Sequence, residues 1–138
     1  MKEGHSLYIG GPAGTGKSFL LNKIVTSLRS AGKCVQLTCT TGIACTNFPP
    51  ALGAMTIHHW SGIHDGRYSS KEVVFLIKNN EKFKYALQRI QLTDTLIIDE
   101  VSMLSERLFD QLRDICSLSD PSKLFGGIQL ILCGDFAQ

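Results

Sequence analysis

The sequence feature that most constrains the fold is the run from Gly11 to Ser18, which matches the pattern G-x-x-x-x-G-K-[ST] at every fixed position. The pattern carries weight only where a buried strand precedes it and a helix follows it. Residues 6–10 form a short β-prone run, and residues 20–28 carry apolar side chains at helical spacing before Ala31 and Gly32. Both conditions hold, so we interpret the run as a phosphate-binding loop and not as an incidental glycine-rich loop.

The chemistry of this loop explains its residue types. Its glycines allow a tight backbone turn whose N–H groups point at phosphate oxygens, and the following helix adds the positive end of its dipole. The Lys17 ammonium can reach the β- and γ-phosphates and act in catalysis, while the Ser18 hydroxyl can take a coordination position on Mg²⁺. The predicted nucleotide-binding residues are Gly11, Pro12, Ala13, Gly14, Thr15, Gly16, Lys17 and Ser18.

Patterns in the rest of the chain predict further strands and helices. Residues 33–39 alternate between apolar and polar side chains, and the continuous apolar runs 95–98 and 128–133 are typical of strands buried on both faces. Strands that alternate with helices behind a phosphate loop predict one α/β domain over residues 1–138, with three layers and a mostly parallel sheet. The predicted helices cover residues 43–47, 71–80, 83–91 and the stretch from an N-cap at Ser105 to about Leu118.

Composition narrows the class of protein. The chain has 138 residues, 43% hydrophobic and 19% charged, which is typical of one globular domain. A net charge of +2 is too small to indicate a nucleic-acid binder, and it does not exclude a local basic groove. No apolar run approaches the roughly 20 residues that span a bilayer, and the N-terminus lacks the apolar core of a secretory signal. Five cysteines without a C-x-x-C pair indicate reduced thiols and an intracellular setting.

Two carboxylates follow the apolar run 95–98 directly. At the carboxyl end of a central parallel strand, Asp99 would project into the crevice where phosphates bind and hold Mg²⁺ opposite Ser18, through a water. Glu100 would polarise the attacking water as a general base. An Asp-Glu pair that only shapes a turn is the alternative, and the upstream phosphate loop favours the catalytic interpretation. Gln138, just past another apolar run, either hydrogen-bonds the γ-phosphate or lies idle at the surface.

Taken together, these segments resemble the Pif-one family of superfamily-one DNA helicases. The resemblance is not confined to the nucleotide motifs that many ATPases share. Residues 40–44 (TTGIA) and 56–63 (TIHHWSGI) are similar to two further segments of the family. Residues 96–104 (LIIDEVSML) resemble its second motif, and residues 125–130 (FGGIQL) with 134–138 (GDFAQ) resemble its third. The resemblance covers nearly the whole chain, with the motifs in the right order.

The resemblance implies a RecA-like fold and the activity of an ATP-dependent 5′-to-3′ DNA helicase that uses ATP and Mg²⁺. Its partners would be single-stranded DNA and DNA forks, in DNA repair, recombination and telomere maintenance. The compartment would be the nucleus or mitochondrion of a eukaryote, and otherwise the cytoplasm. Thr41, Gly42, Thr56 and His58 fall where the family contacts the strand backbone. Gln138 falls where it links the γ-phosphate to the DNA contacts.

The same resemblance sets an expectation about the extent of the chain. The family carries an adenine-recognising glutamine motif upstream of the phosphate loop, and too few residues precede Gly10 to supply it. Downstream, the family continues into a second RecA-like domain with an arginine finger. Residues 1–138 would then be part of a first motor domain, truncated at its C-terminal end, that binds nucleotide weakly and does not unwind DNA. Another phosphate-loop ATPase, or a non-catalytic remnant that binds nucleotide or DNA, is the alternative.

Several residues depart from the family's pattern. His59 replaces a serine, Ser61 replaces an alanine, and Ile90 replaces a tryptophan that often follows the arginine represented by Arg89. Trp60 stands where the family has an aromatic residue, and we favour a core side chain over a base-stacking platform. A metal site is disfavoured, because adjacent histidines do not readily ligate one ion. Its candidate ligands are His58, His59, His64, Asp65 and Cys45.

Overall fold

One parallel sheet organises the structure, a computed structural model that describes residues 6–10, 16–63 and 69–134. Within these residues, every pair of neighbouring strands is parallel. The strands are β1 (Ser6–Gly10), β2 (Val35–Cys39), β3 (Met55–Thr56), β4 (Thr95–Asp99) and β5 (Gln129–Gly134). They lie in the order β1-β5-β4-β2-β3, so their carboxyl ends meet at one edge of the sheet.

Helices connect these strands. The α-helices are α1 (Lys17–Ser30), α2 (Gly42–Cys45), α3 (Ile57–Ser61), α4 (Ser70–Asn79), α5 (Lys84–Leu92) and α6 (Glu106–Cys116). Short 3₁₀ helices cover Pro50–Leu52, Glu81–Phe83, Val101–Met103 and Leu124–Gly127. Polar caps fix where several of them begin: Ser105 accepts a hydrogen bond from the Leu108 N–H at 3.1 Å, and Ser69 forms a capping box with Glu72. In the described ranges, none of the helices has the length and apolar character needed to cross a membrane.

Alternate residues of the central strands pack into two separate cores. On one face of the sheet, Leu96 and Ile98 of β4 pack among residues of α3, α4, α5 and α6. On the other face, Ile97 packs with Leu21 of α1 and Ala44 of α2. A parallel sheet covered by helices on both faces is the three-layer α/β architecture, so the predicted fold class is confirmed.

Two helices differ from their predicted extent. Leu20, expected on the buried face of α1, is 43% exposed, because α1 meets the sheet along the narrower stripe of Leu21 and Val25. The helix expected to run to about Leu118 ends at Cys116, where a turn replaces the last helical residues. Leu20 lies outside the buried stripe of α1, whereas Leu118 still packs against the core but does so from the turn that follows α6.

The segment after β2 holds elements that are too short for a periodic signal. Helix α2 begins at Gly42 and not at residue 43, because the Thr41 side chain accepts a hydrogen bond from the Ala44 N–H and caps it. Strand β3 has two residues and α3 has five, and neither length shows a hydrophobic period. These two elements come from tertiary packing against β2 and α5.

The five cysteines are free thiols in different environments. Cys34 is exposed and Cys45 is half-buried, whereas Cys39, Cys116 and Cys133 are buried. Burial raises the pKa of Cys116 and of Cys133 to about 12 and is also the main cause of the raised pKa of Cys39. These three thiols are therefore protonated and poorly nucleophilic at neutral pH.

We expect a maleimide to modify the native chain first at Cys34, because that thiol is exposed while three others are buried and protonated. A time course followed by peptide mass spectrometry measures the rate at each site. Cys34→Ser should remove the fastest phase. Equally fast labelling of Cys116 or Cys133 in the folded chain would contradict the packing described above.

A second prediction concerns Gly126, which has a φ of 65°. A Cβ at this position would lie 1.9 Å from the carbonyl oxygen of Cys116, a backbone atom that cannot move aside without disturbing α6. We expect Gly126→Ala to lower the free energy of unfolding by more than about 2 kcal/mol, measured by urea denaturation. Gly32→Ala is the matched control: Gly32 also has a positive φ, but its Cβ would meet nothing within 4 Å. Equal losses in the two variants would show that the clash is absent.

Candidate functional site

Helix α1 begins where the predicted phosphate loop ends. Gly16 has a φ of 84°, a left-handed conformation that favours glycine, and its carbonyl accepts a hydrogen bond from the Leu20 N–H at 3.0 Å. Lys17 is the first helical residue and Ser18 the second, so both lie at the positive end of the helix dipole. Residues 11–15 fall outside the described residues, and the path of the loop itself is untested.

The Lys17 side chain is paired with a buried carboxylate. Its Nζ lies 3.3 Å from Oδ1 of Asp99, the last residue of β4, and the two side chains are 14% and 7% exposed. Asp99 Oδ1 has no hydrogen-bond partner among the described residues, so the contact is an ion pair whose donor is not aligned with the acceptor. Charges with so little hydration attract more strongly than a surface pair, and either one alone would be costly to bury.

Two protonated thiols flank this carboxylate. Cys39 of β2 pairs with Asp99 in the sheet register, and Cys133 lies on β5, the other neighbour of β4. Burial is the main cause that raises the pKa of Cys133 to about 12, and the Asp99 charge raises it further while Lys17 lowers it. For Cys39, burial and a hydrogen bond with Cys45 raise the pKa most, and Asp99 contributes less. The adjacent strands therefore place neutral groups beside Asp99.

Glu100 adopts a strained backbone conformation directly after β4. Its φ of 57° lies in the left-handed region, which costs a non-glycine residue about 1–2 kcal/mol. Its carbonyl accepts a hydrogen bond from the Thr40 hydroxyl at 3.3 Å, which ties this turn to the end of β2. Strain of this kind is concentrated at functional sites. The Glu100 side chain stays partly exposed at the same edge as Asp99.

Asp99 and Ser18 suit a magnesium ion. Carboxylate and hydroxyl oxygens are ligands that Mg²⁺ takes in nucleotide sites. Asp99 Oδ1 is buried and accepts no hydrogen bond from the described residues, so it has lone pairs to give, and Ser18 is exposed on the first turn of α1. The residues present therefore fit the metal that the loop pattern implies.

The carboxyl end of β5 packs against the same turn. A Cβ added to Gly134 would lie 3.3 Å from the backbone nitrogen of Val101, so a side chain at this position would crowd the turn after Asp99. Gln138 follows shortly after Gly134 and lies outside the described residues. Its contact with the γ-phosphate is therefore a prediction that the structure does not test.

The residues predicted to contact DNA follow two adjacent strand ends, because Cys39 of β2 pairs with Thr56 of β3. Thr41 and Thr56 are the N-caps of α2 and α3: their hydroxyls accept hydrogen bonds from the N–H groups of Ala44 at 3.2 Å and His59 at 3.1 Å. A hydroxyl that accepts one hydrogen bond keeps its own proton to donate, so a cap can also bind a phosphate oxygen. Of the other two predicted contacts, Gly42 is exposed and His58 is half-buried.

A chain of hydrogen bonds holds α3 against α5. The Trp60 indole is fully buried, and its Nε1–H donates to the Thr93 hydroxyl at 3.3 Å. The Thr93 hydroxyl donates in turn to the Arg89 carbonyl at 2.6 Å, and Arg89 Nη2 donates to the His59 carbonyl at 2.6 Å. Trp60 is therefore a core side chain, as the sequence favours, and not a stacking platform.

The hydrogen bonds between α3 and α5 could not be predicted from the sequence. The pattern of residues 83–91 predicts a helix with a basic, solvated face, but Arg89 Nε is buried and has no hydrogen-bond partner in the part of the chain that the structure describes. The one feature of the sequence that points to these hydrogen bonds is Arg89, which stands where the family pattern has an arginine. The other departures from that pattern are accommodated: the buried Ser61 hydroxyl donates to the Ile57 carbonyl at 2.8 Å, and Ile90 is fully buried.

The structure bears on only part of the disfavoured metal site. His64 and Asp65 lie outside the described ranges. Within those ranges, no group of three His, Cys, Asp or Glu side chains is placed to hold an ion. No metal chemistry is therefore assigned to His58, His59 or Cys45.

Comparison with known proteins agrees with this architecture. The family model of the PIF1-like helicases matches residues 1–138. The ATP-dependent DNA helicase PIF1 of Candida albicans is 42% identical over 137 residues, which are 98% of this chain and 14% of that protein. A crystal structure of Pif1 helicase from Candida albicans is similar with a TM-score of 0.84 at 41% identity, over 96% of this chain and 29% of the solved one. Pif1 helicase from Bacteroides in complex with ADP-AlF3 and single-stranded DNA is similar with a TM-score of 0.64 at 27% identity, over 97% and 29% of the two chains.

The extent and the limits of this similarity are both clear. The family match covers every residue, and the fold of the solved Candida albicans helicase is reproduced over 96% of the chain. The chain spans only a small part of the whole helicase that it matches, 14% in that species. The chain belongs to the PIF1-like helicase family.

Proposed function

We propose that this chain is the ATP-binding part of a 5′-to-3′ DNA helicase, in which ATP binding and hydrolysis drive translocation on single-stranded DNA. The observation that carries the proposal is the ion pair between Lys17 and Asp99, buried at the carboxyl edge of the parallel sheet. A lysine at a helix start facing a strand-end carboxylate is the arrangement that phosphoryl transfer needs around a nucleotide. Family membership supports the same function.

Nucleotide binding would rearrange this pair. Lys17 would leave Asp99 for the β- and γ-phosphates, and Asp99 with Ser18 would hold the Mg²⁺ that neutralises phosphate charge. The loop residues 11–16 would surround the phosphates with backbone N–H groups. Glu100 would take a proton from the attacking water, and Gln138 would orient toward the γ-phosphate.

Strand binding would use the neighbouring end of the same edge. Thr41, Gly42, Thr56 and His58 would hold the DNA backbone through hydroxyl, N–H and imidazole groups, which position a strand without reading its bases. The hydrogen bond from Thr40 to the Glu100 carbonyl connects the two regions, because it joins the segment before Thr41 to the turn after Asp99. A change at the nucleotide would then reach the DNA contacts through a direct contact.

The whole-protein activity belongs to a larger molecule in the relatives, since the chain spans 14% of the Candida albicans helicase. We infer that residues 1–138 bind nucleotide weakly by themselves and do not unwind DNA, because catalytic charge stabilisation in this class comes in part from a second motor domain. In the complete motor, the substrates would be single-stranded DNA and DNA forks, in repair, recombination and telomere maintenance. The compartment would be the nucleus or mitochondrion of a eukaryote, and otherwise the cytoplasm.

The role of Asp99 can be tested through the effect of magnesium on ATP affinity. We expect Mg²⁺ to tighten ATP binding to the wild-type chain by roughly 10-fold or more, and to have little effect on Asp99→Asn. In EDTA, Asp99→Asn should bind ATP at least as well as the wild type, because Lys17 is released and a negative charge is removed. Isothermal titration with and without Mg²⁺ measures both affinities.

Asp110→Asn is the matched control for this substitution, since Asp110 is a half-exposed carboxylate on α6 that pairs with Arg113 at 3.7 Å. It should keep the wild-type response to magnesium. Thermal melts of the three proteins establish that each is folded. An undiminished magnesium effect in Asp99→Asn would remove Asp99 from the metal site.

The activity of the 138 residues alone is a separate prediction. We expect no strand separation on a forked duplex with ATP and Mg²⁺, and ATP turnover near background with or without single-stranded DNA. Gel-based unwinding and phosphate release measure the two quantities. Robust turnover that Lys17→Ala abolishes would show that these residues form a complete catalytic site.

A further inference from the structure

A pocket of about 480 Å³ lies between α3 and the start of α5, beside the predicted DNA contacts. Its floor is apolar and includes Ile63, Phe83 and Ala86. Four basic residues line it: His58 and His59 from α3, Lys82 from the turn before α5, and Arg89 from α5. Tyr85 of α5 completes the polar lining. An apolar floor with a few polar groups around it is typical of a small-molecule or single-residue site.

The guanidinium of Arg89 is the unusual group in this pocket. Its Nη2 donates to the His59 carbonyl at 2.6 Å, but its Nε is buried and has no hydrogen-bond partner within residues 6–10, 16–63 and 69–134. Among the described residues, no carboxylate forms an ion pair with it, and burial lowers its pKa below the ordinary value of an arginine. A poorly hydrated cation with open hydrogen-bonding capacity, and without a counter-charge among the residues that the structure describes, favours an anion.

The outer part of the pocket adds an aromatic ring and further cations. Tyr85 is 70% exposed, which is a large apolar surface to leave in water. The Lys84 ammonium lies 6.0 Å from the centroid of the Tyr85 ring, and Lys82 is exposed on the adjacent turn. Exposed aromatic rings among lysines and arginines are the surface that single-stranded nucleic acids use, with bases stacked on rings and phosphates beside cations.

The pocket lies next to the predicted contacts with single-stranded DNA. His58 both lines the pocket and belongs to the predicted DNA contacts, and Thr56 caps the same helix. The bonds that link Trp60, Thr93, Arg89 and His59 hold the two walls of the pocket together. A strand that crosses Thr56 and His58 would therefore meet the pocket with its next nucleotide.

We infer that this pocket binds one nucleotide of single-stranded DNA, with its phosphate at Arg89 and Lys82 and its base stacked on Tyr85. The inference rests on the proposed function and extends it, because it gives a role in DNA binding to three residues that are not among the predicted DNA contacts. It predicts a phosphate contribution from Lys82 and a base contribution from Tyr85, which can be measured separately.

The phosphate contribution is tested with Lys82→Ala. Binding of a fluorescent oligo(dT) to the 138-residue chain is followed by anisotropy at several salt concentrations. Loss of one phosphate contact on a single strand should reduce the slope of log K against log salt by about 0.7 and weaken binding at low salt. The matched control is Lys33→Ala, an exposed lysine in the loop before β2, which should leave the slope unchanged.

The base contribution is tested with Tyr85→Ala, which should weaken oligo(dT) binding roughly 10-fold. Phe75→Ala is its control, since Phe75 is a 66% exposed aromatic on α4, outside the pocket. The same measurement with an oligonucleotide of abasic sites separates stacking from other effects, because Tyr85→Ala should then cost nothing. Both pocket substitutions are at exposed side chains, so folding is preserved, and thermal melts verify it.

Failure of this pocket and failure of the proposed function give different results. If the wild-type chain binds no oligonucleotide at low salt, the pocket and the DNA contacts proposed for Thr41, Gly42, Thr56 and His58 are both overturned. If it binds, and Lys82→Ala and Tyr85→Ala behave like their controls, the pocket alone is overturned and the DNA contacts lie elsewhere. A reduced salt slope together with a base-dependent loss at Tyr85 supports the pocket.

Discussion

The parallel pairing of β2, β4 and β5 is the constraint on which the rest of the structure depends. Parallel strands must return through crossovers, and here the crossovers cover both faces of the sheet with helices. The strands are then buried on both sides, so the polar residues of the chain collect where the strands end. The ion pair of Lys17 and Asp99, the strained Glu100 and the capping threonines all lie at that edge because the strands have one direction.

Much of this arrangement could be predicted from local patterns. Residue types alone place Lys17 at a helix start and Asp99 at a strand end, because a phosphate loop and an apolar run each have a recognisable period and boundary. The contact between their side chains could not be predicted, since it depends on the strand order β1-β5-β4, which no local pattern encodes. The sequence indicates which groups are present, and packing decides which of them touch.

The segment 55–63 shows where pattern reasoning fails. Helix α3 has five residues, so it has no measurable hydrophobic period, and it forms because Trp60 is buried and Thr56 caps its start. The family pattern often has a tryptophan where this chain has Ile90, on the facing helix α5. Here the large indole lies on α3 and the smaller side chain on α5, and both are fully buried. The two side chains pack in one core, and the sequence of either helix alone does not reveal that contact.

The position of β1 has a consequence for handling the protein. Among the described residues, this strand is at the end of the sheet and pairs with β5 alone, while Leu7 and Tyr8 are 40% and 61% exposed. A strand with one unpaired edge and exposed apolar side chains is a template for pairing with another chain. We therefore expect preparations of these 138 residues to self-associate at high concentration. A second chain would pair with β1, the strand that leads into the phosphate loop. Nucleotide binding would then appear weaker as the protein concentration rises.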